Sequence, residues 1–268
     1  METLGGLPPP DLPLPAAILA LAGDRAIRPV WLNELGGLTC EIGTHPDRRF
    51  VKWAPAGSGI DLGAEGARLR WAADFTQVPR VLGEGAGRNG AWLVTEALPG
   101  TMAVSDRWKQ EPRTAVAGIG AGLRAMHDAL PVSACPFSWS AADRLADTYR
   151  RAERGQIDPS SWHPEHRHLT LQRALDVLAD APAPDRVVVC HGDACAPNTL
   201  LDDRGRCTGH VDLGELGVGD RWADLAVATW SATWNYGPGW EGPLLEAYGV
   251  HPDHDRIRYY RLLWDLGP

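Results

Sequence analysis

"VVVCHGDACAPNTLL", residues 187–201, sets the reading of the whole chain. Its first four residues are apolar, the pattern of a short buried strand. The run ends on His191, Gly192 and Asp193, and Asn198 follows five residues after the aspartate. An acid placed just beyond a buried strand, with an amide shortly after it, suits a loop with two tasks. The carboxylate accepts a proton from a hydroxyl. The amide oxygen binds a metal ion without adding charge. A metal held against phosphates needs a further carboxylate, because Mg²⁺ prefers oxygen ligands.

The next stretch supplies that carboxylate. "TLLDDRGRCTGHVD" (199–212) reads as a hairpin that turns at Asp203-Arg204-Gly205 and returns to Asp212. Hairpin pairing brings both strand ends to one edge, so Asp193, Asn198 and Asp212 are expected to converge.

Upstream, residues 1–23 read as a loose arm leading to a short helix. "RPVWLNELGGLTCEIG" (28–43) reads as two strands around a Gly-Gly turn, and "RFVKWA" (49–54) as a third. Alternation in that third strand places Val51 and Trp53 on one face and Phe50 and Lys52 on the other. "DLGAEGARLRWAADF" (61–75) reads as a helix, and "VPRVLGEG" and "AWLVTEAL" as two more strands. After "TEALPG" (95–100) the pattern turns helical. Val116, Ile119, Leu123, Met126 and Leu130 recur at spacings of three and four, an amphipathic stripe. Further helices are expected over 141–154, about 168–180, 221–234 and in two C-terminal segments. The predicted fold is α+β in two lobes, divided as 1–98 and 99–268: an N-terminal antiparallel sheet lobe with one helix, and a mainly helical C-terminal lobe.

Composition narrows the function classes. The chain has 268 residues, 44% hydrophobic and 22% charged, with formal charge −8. That is a globular composition long enough for a large core. No basic stripe points to nucleic acid. No run approaches the roughly 18 apolar residues of a membrane span. The N-terminal apolar run lacks a basic flank and carries Glu2 and Asp11, so no signal peptide is expected. Five cysteines without a CxxC pair predict reduced thiols and a cytoplasmic location.

His191-Gly192-Asp193-x-x-x-x-Asn198 followed by Asp212-Leu213-Gly214 matches the kinase pattern of a catalytic Asp, a metal-binding Asn and a metal-binding Asp. This variant, together with "AWLVTEALPG", "CPF", "DRWADLAVA" and "YYRLL", resembles the aminoglycoside phosphotransferases. The likeness is to the 3'-phosphotransferases of kanamycin and neomycin, and slightly less to the streptomycin 3''-phosphotransferases. It runs over roughly residues 28–265 and implies a protein-kinase-like fold using ATP or GTP with Mg²⁺. It also implies roles for single residues. Asp193 is the catalytic base, and Asn198 and Asp212 hold the metal. Lys52, oriented by Glu65, neutralises phosphate charge, while Asp61 is the helix cap. Gly36 and Gly37 let backbone approach the phosphates, and backbone near Glu96 and Leu98 reads the adenine edge. Asp220 is expected to bond backbone around the catalytic loop, Asp224 to cap or pair nearby, for instance with Arg221, and His191 to be a buried anchor.

The substrate side departs from the family. A polycationic antibiotic calls for carboxylates, yet "WSATWNYGPGW" (230–240) has none and only Asp265 stands in the C-terminal stretch. Trp230, Trp234, Trp240 and Trp264 fall in these segments. They either stack on a sugar ring of the acceptor or pack the interior. Three readings other than a 3'-phosphotransferase stay open: a streptomycin 3''-kinase, a kinase for another hydroxylated metabolite, and a pseudokinase that binds nucleotide without turnover.

Overall fold

The computed structural model describes residues 5–267. The first four residues of the N-terminal arm, Glu2 among them, and Pro268 lie outside the described residues. The chain divides into two compact units. One runs to Asp74 and includes Val78–Leu98; the other comprises Phe75–Gln77 and the chain from Pro99 on.

The first unit contains β1 (Gly5–Gly6), α1 (Ala16–Ala22), β2 (Ile27–Asn33), β3 (Leu38–Ile42), β4 (Arg49–Pro55), α2 (Leu62–Ala72), β5 (Val81–Gly87) and β6 (Gly90–Glu96). Its strands form one antiparallel sheet in the order β1-β2-β3-β4-β6-β5. Alternation decides what each face carries. Leu38, Cys40, Ile42, Val51 and Val94 point one way and form a core with Ile18 and Ala22 of α1, with Trp53 packed against it. Lys52 and its register partner Leu93 point the other way. On that side α2 packs closely, since a Cβ added at Gly66 would lie 3.3 Å from Leu93 Cδ1. Asp61 starts α2 by accepting from the Ala64 amide at 2.9 Å, the cap role expected of it. Strand β1 was not legible in the sequence, because two glycines carry no alternation.

The second unit contains β7 (Thr101–Met102), α3 (Asp106–Gln110), α4 (Pro112–Ala129), α5 (Ala141–Glu153), α6 (Leu171–Ala179), β8 (Val187–Cys190), β9 (Thr199–Leu201), β10 (Cys207–His210), β11 (Gly217–Asp220), α7 (Arg221–Tyr236), α8 (Glu241–Tyr248) and α9 (His254–Asp265). Strands β9 and β10 form the expected hairpin and β7 pairs with β9. Strand β8 pairs with β11, a four-residue "GVGD" segment too polar and glycine-rich to announce itself. The core is one large cluster that draws on α4, α6, α7, α8 and α9, with Trp108, Trp162 and Trp222 fully buried in it.

Helix α4 shows why this core holds together. Its apolar stripe of Val116, Ile119, Leu123 and Met126 is buried. It also carries Gly118, Gly120 and Gly122, each of which lowers intrinsic helix stability by about 1 kcal/mol relative to Ala. The glycines let neighbours touch the helix backbone. A Cβ at Gly118 or Gly122 would strike the β9–β10 hairpin at Gly205, Leu201 or Cys207, and one at Gly120 would strike α8 at Leu244. The hairpin that ends in Asp212 is thereby seated directly on α4.

Candidate active site

Strand β8 delivers His191, Gly192 and Asp193 to the surface of the second unit. His191 is fully buried. Its Nε2 donates to the Val211 carbonyl at 3.0 Å and its Nδ1 accepts from the Asp193 amide at 3.3 Å. The ring therefore ties the loop to the end of the hairpin, the anchoring role expected of it. Gly192 has φ 89°, and a side chain there would collide with the Glu215 backbone.

The two amides before Asp193 are gripped from below by α7. Asp224 accepts from His191 N–H at 2.6 Å and from Gly192 N–H at 2.9 Å. Its Oδ2 also accepts from His127 Nε2 of α4 at 2.8 Å, and His127 Nδ1 accepts from the Tyr248 hydroxyl of α8 at 2.8 Å. Burial opposes ionisation of Asp224, but the His127 bond and the loop amides outweigh it and hold its carboxyl below the usual range. This reverses the expected division of labour. Asp224 organises the catalytic loop. Asp220 caps α7 through the Trp222 amide and accepts from the Asp185 amide, away from that loop. Arg221 pairs with Asp185, not with Asp224. Sequence reasoning missed His127 and Tyr248. A histidine on the apolar stripe of α4 was the available signal.

Asp193 and Asn198 lock to each other. Asn198 Nδ2 donates to Asp193 Oδ2 and to its carbonyl, both at 3.0 Å. Both amide protons are used there, so Asn198 Oδ1 is the atom left to face a cation. Asp193 Oδ1 is out of solvent and takes no nitrogen or oxygen donor, while the Cys195 thiol hydrogen-bonds to the carboxylate. Burial, then the charge of Asp212 nearby, pushes the Asp193 carboxyl above its ordinary range. Val211 N–H donates to the Asn198 carbonyl at 3.0 Å, which fixes the hairpin exit beside Asn198. Asp212 follows with φ 66°, the one non-glycine positive φ among the described residues. Aspartate tolerates this conformation better than most residues, and such strain collects at functional sites. Asp193, Asn198 and Asp212 are thus brought together. Among the described residues no group of three His, Cys, Asp or Glu side chains forms a metal cluster. The Asp212 carboxylate and the Asn198 amide oxygen nevertheless fit Mg²⁺, which takes few protein ligands when phosphates and water complete its shell.

In the first unit, Lys52 Nζ lies 2.7 Å from Glu65 Oε1, with the two side chains 24% and 7% exposed. The β2–β3 turn departs from expectation. The Gly37 amide donates to Asn33 Oδ1 at 2.7 Å and the Gly36 amide to the Asn33 carbonyl at 3.1 Å. These amides close the turn on Asn33 instead of standing open for an oxyanion. At the end of β6 the Glu96 amide donates to the Arg80 carbonyl, the Ala97 amide to the Arg48 carbonyl, and the Leu98 carbonyl accepts from the Arg48 guanidinium. The Glu96 side chain pairs with Arg80 at the surface.

The tryptophan segments form a corner of the second unit. Trp230 and Trp234 of α7 have ring centroids 5.2 Å apart, and Trp264 of α9 lies 6.1 Å and 5.8 Å from them. Trp230 is only 3% exposed, enclosed by His163 at 4.3 Å and by the Arg261 guanidinium at 5.2 Å. It has no open face for a sugar, so its expected stacking role is corrected to packing. Trp234 and Trp264 are half-buried. Trp240 sits apart, its indole donating to the Tyr236 carbonyl. Asp265 is also corrected. Its side chain is 6% exposed and its Oδ2 takes the His163 amide at 3.0 Å and His166 Nδ1 at 2.6 Å. It is an internal anchor and offers no rim carboxylate to an ammonium group.

Residues 34–260 match the model of the phosphotransferase enzyme family. The chain is 39% identical over 221 residues to an aminoglycoside 3'-phosphotransferase of Streptomyces fradiae, covering 78% of this chain and 81% of the relative. It is 37% identical over 228 residues to the streptomycin 3''-kinase of Streptomyces griseus, covering 79% and 82%. Among solved structures, an aminoglycoside 3'-phosphotransferase of type VIII superposes with TM-score 0.81 at 32% identity, covering 93% of this chain and 96% of that one. An aminoglycoside phosphotransferase of Streptomyces rimosus, solved with ADP and streptomycin, gives TM-score 0.72 at 30% identity, covering 93% and 95%.

Proposed function

The chain belongs to the phosphotransferase enzyme family, and from that premise we propose that it transfers the γ-phosphoryl group of ATP to a hydroxyl of an aminoglycoside antibiotic. The modified antibiotic would no longer act, which makes the enzyme a resistance determinant. The observation that carries the chemistry is the state of Asp193. One oxygen is fixed by Asn198, and the other is desolvated and takes no nitrogen or oxygen donor, the carboxylate otherwise meeting only the Cys195 thiol, a weak donor. A substrate hydroxyl is the natural donor to that second oxygen. Asp193 orients the hydroxyl for attack and takes its proton as the new O–P bond forms. Asn198 and Asp212 would hold Mg²⁺, which when bound supplies charge neutralisation to the transferring phosphate. Lys52, kept in place by Glu65, adds a fixed positive charge for the phosphates. No covalent enzyme intermediate is required, because positioning and electrostatics supply the rate.

On this reading the unit that ends at Leu98 binds nucleotide, and the unit from Pro99 carries catalysis and the acceptor. The presence of Lys52, Glu65, Asp193, Asn198 and Asp212 as a set supports turnover over a pseudokinase. Five free cysteines fit a reducing cytoplasm, and no helix among the described residues is long and apolar enough to cross a membrane. The 3'-hydroxyl of a kanamycin- or neomycin-type acceptor is the first reading. A streptomycin 3''-hydroxyl is the second, favoured by the 37% identity to the streptomycin kinase. ADP release with kanamycin, neomycin, streptomycin, hygromycin B and non-antibiotic sugars decides between them, followed by phosphorus NMR of the product. Turnover with kanamycin or neomycin and a 3'-phosphate product is the expected result. Release of ADP only with non-antibiotic sugars would overturn the substrate class.

A further inference from the structure

We propose that Trp234 and Trp264 form a stacking platform that takes a sugar ring of the acceptor by its C–H face, so that contact area and not ionic pairing sets affinity at this corner. The proposal rests on the phosphotransferase reading for the identity of its ligand, but its geometry stands apart from the chemistry.

Three observations meet here. The first is adjacency to the catalytic loop. Ala196 N–H, three residues beyond Asp193, donates to Ser231 Oγ at 2.9 Å. Asn235 Nδ2 braces the same serine, with donors to its carbonyl at 2.8 Å and its hydroxyl at 3.2 Å. Trp230 and Trp234 are the residues beside Ser231 and Asn235 on α7, so the aromatic corner is joined to the loop through one helical turn.

The second is the build of the corner. Trp230 is a buried base, and the two half-buried rings of Trp234 and Trp264 tilt against it and each other at 36°, 75° and 48°. Rings held by other rings keep one orientation, which lowers the cost of ordering them on a ligand. The Trp234 Nε1–H is shielded from water and finds no acceptor in the protein.

The third is charge. Two carboxylates at the corner, Asp265 and Glu241, already have partners. Asp265 is taken by the His163 amide and His166. Glu241 is taken by Arg261 at 3.1 Å and by the Thr233 hydroxyl at 3.1 Å. An ammonium group arriving here would have to displace a neighbour to reach Asp265 or Glu241. A pyranose face, with its apolar C–H groups, matches the exposed parts of the two indoles directly.

The test uses the full chain, with Trp234→Leu, Trp264→Leu and Trp234→Phe compared with wild type. Calorimetric binding of kanamycin A and of streptomycin is measured at low and high NaCl, alongside ADP release. Trp234→Leu and Trp264→Leu are expected to weaken the bound antibiotic about threefold to tenfold, the range of aromatic contact energies. The fold-loss should be the same at both salt concentrations, kcat should be unchanged, and Trp234→Phe, which keeps a ring and the packing, should recover most of the affinity. Asp265→Asn should leave the salt dependence of binding as in wild type. Affinity within twofold of wild type in both Leu variants overturns the platform, as does a loss that vanishes at high salt, the mark of a cation over the rings. Binding that depends on both tryptophans without ADP release would keep the platform and sink the phosphotransfer reading. Turnover indifferent to both tryptophans would do the opposite.

Discussion

The catalytic loop and the tryptophan corner lie side by side on one unit, yet they are held by different forces. The loop from His191 to Asn198 is organised by directional bonds. Asp224 takes two consecutive amides, His191 ties to Val211, and Asn198 spends both amide protons on Asp193. The corner is organised by ring contact, with Trp230, Trp234, Trp264 and His163 drawn from three separate segments. Directional bonds fix atoms closely enough for proton transfer. Packed rings fix a surface, which is what discrimination among acceptors needs. Substitutions in the loop should therefore strike kcat and substitutions in the corner should strike KM, a division that can be broken in several ways.

The largest effect is expected at Asp193. Asp193→Ala should lower kcat by about 10²–10⁴-fold, the usual worth of a positioned acid–base group. Antibiotic affinity should move little, because the corner is untouched. Steady-state kinetics with matched calorimetry checks this, and turnover within a few-fold of wild type would remove Asp193 from the chemistry.

Next comes the support beneath the loop. His127→Leu removes the hydrogen bond that the buried Asp224 carboxylate takes from His127, a loss of about 1.5–3 kcal/mol for a bond to a charged group. Stability and kcat should both fall. His127→Gln can still donate to Asp224 and should restore much of each. If His127→Gln were fully active and His127→Leu merely less stable, with kcat unchanged, His127 would serve the core and not the loop.

The pH response separates the regions as well. His210 sits under the loop, 5.8 Å from the His191 ring, and burial drives its pKa from 6.5 down to about 3. The folded state keeps it neutral while the unfolded chain takes up a proton below pH 6.5. Between about pH 6.5 and 3 the unfolded state thus binds more protons, and stability falls as the pH is lowered, by up to about 1.4 kcal/mol per pH unit at the steepest. His210→Phe should flatten the slope in this window. Chemical denaturation at pH 7.5 and 5.0 measures it, and an unchanged slope would assign the acid response to other groups.

How much was legible from the sequence follows the same line. The convergence of Asp193, Asn198 and Asp212 could be read because the three lie near one another in the chain, on a strand end and a hairpin whose geometry follows from turn residues. The helices of the second unit announced themselves through long apolar stripes such as that of α4. Three things could not be read locally. The exchange between Asp220 and Asp224 turns on which residue of α7 faces β8, and each has a carboxylate in the first turn of the same helix. The burial of Asp265 depends on His163 and His166, about a hundred positions away. The loss of the Gly36 and Gly37 amides to Asn33 needs the rotamer of one side chain. Each is a tertiary or side-chain choice that periodicity does not record.

The smallest expected effect is also the control for the corner. Trp240 shares its segment with Trp230 and Trp234, but its ring packs against the helical core and its indole donates to the Tyr236 carbonyl at 3.2 Å. Trp240→Phe keeps most of the apolar contact and removes one hydrogen bond, a loss of about 0.5–1.5 kcal/mol in stability. It should leave both KM and kcat as in wild type, because its indole bonds Tyr236 and its ring packs against the helical core. Thermal unfolding and steady-state kinetics on the same preparation check both halves. Trp240 and Trp264 are the same residue type in the same unit. If substitution of Trp240 raised KM as far as substitution of Trp264, the acceptor surface would extend along the whole 230–240 segment and the corner would not be a discrete element. If only Trp264 and Trp234 move KM, the ring contacts among them mark the boundary of the recognition surface.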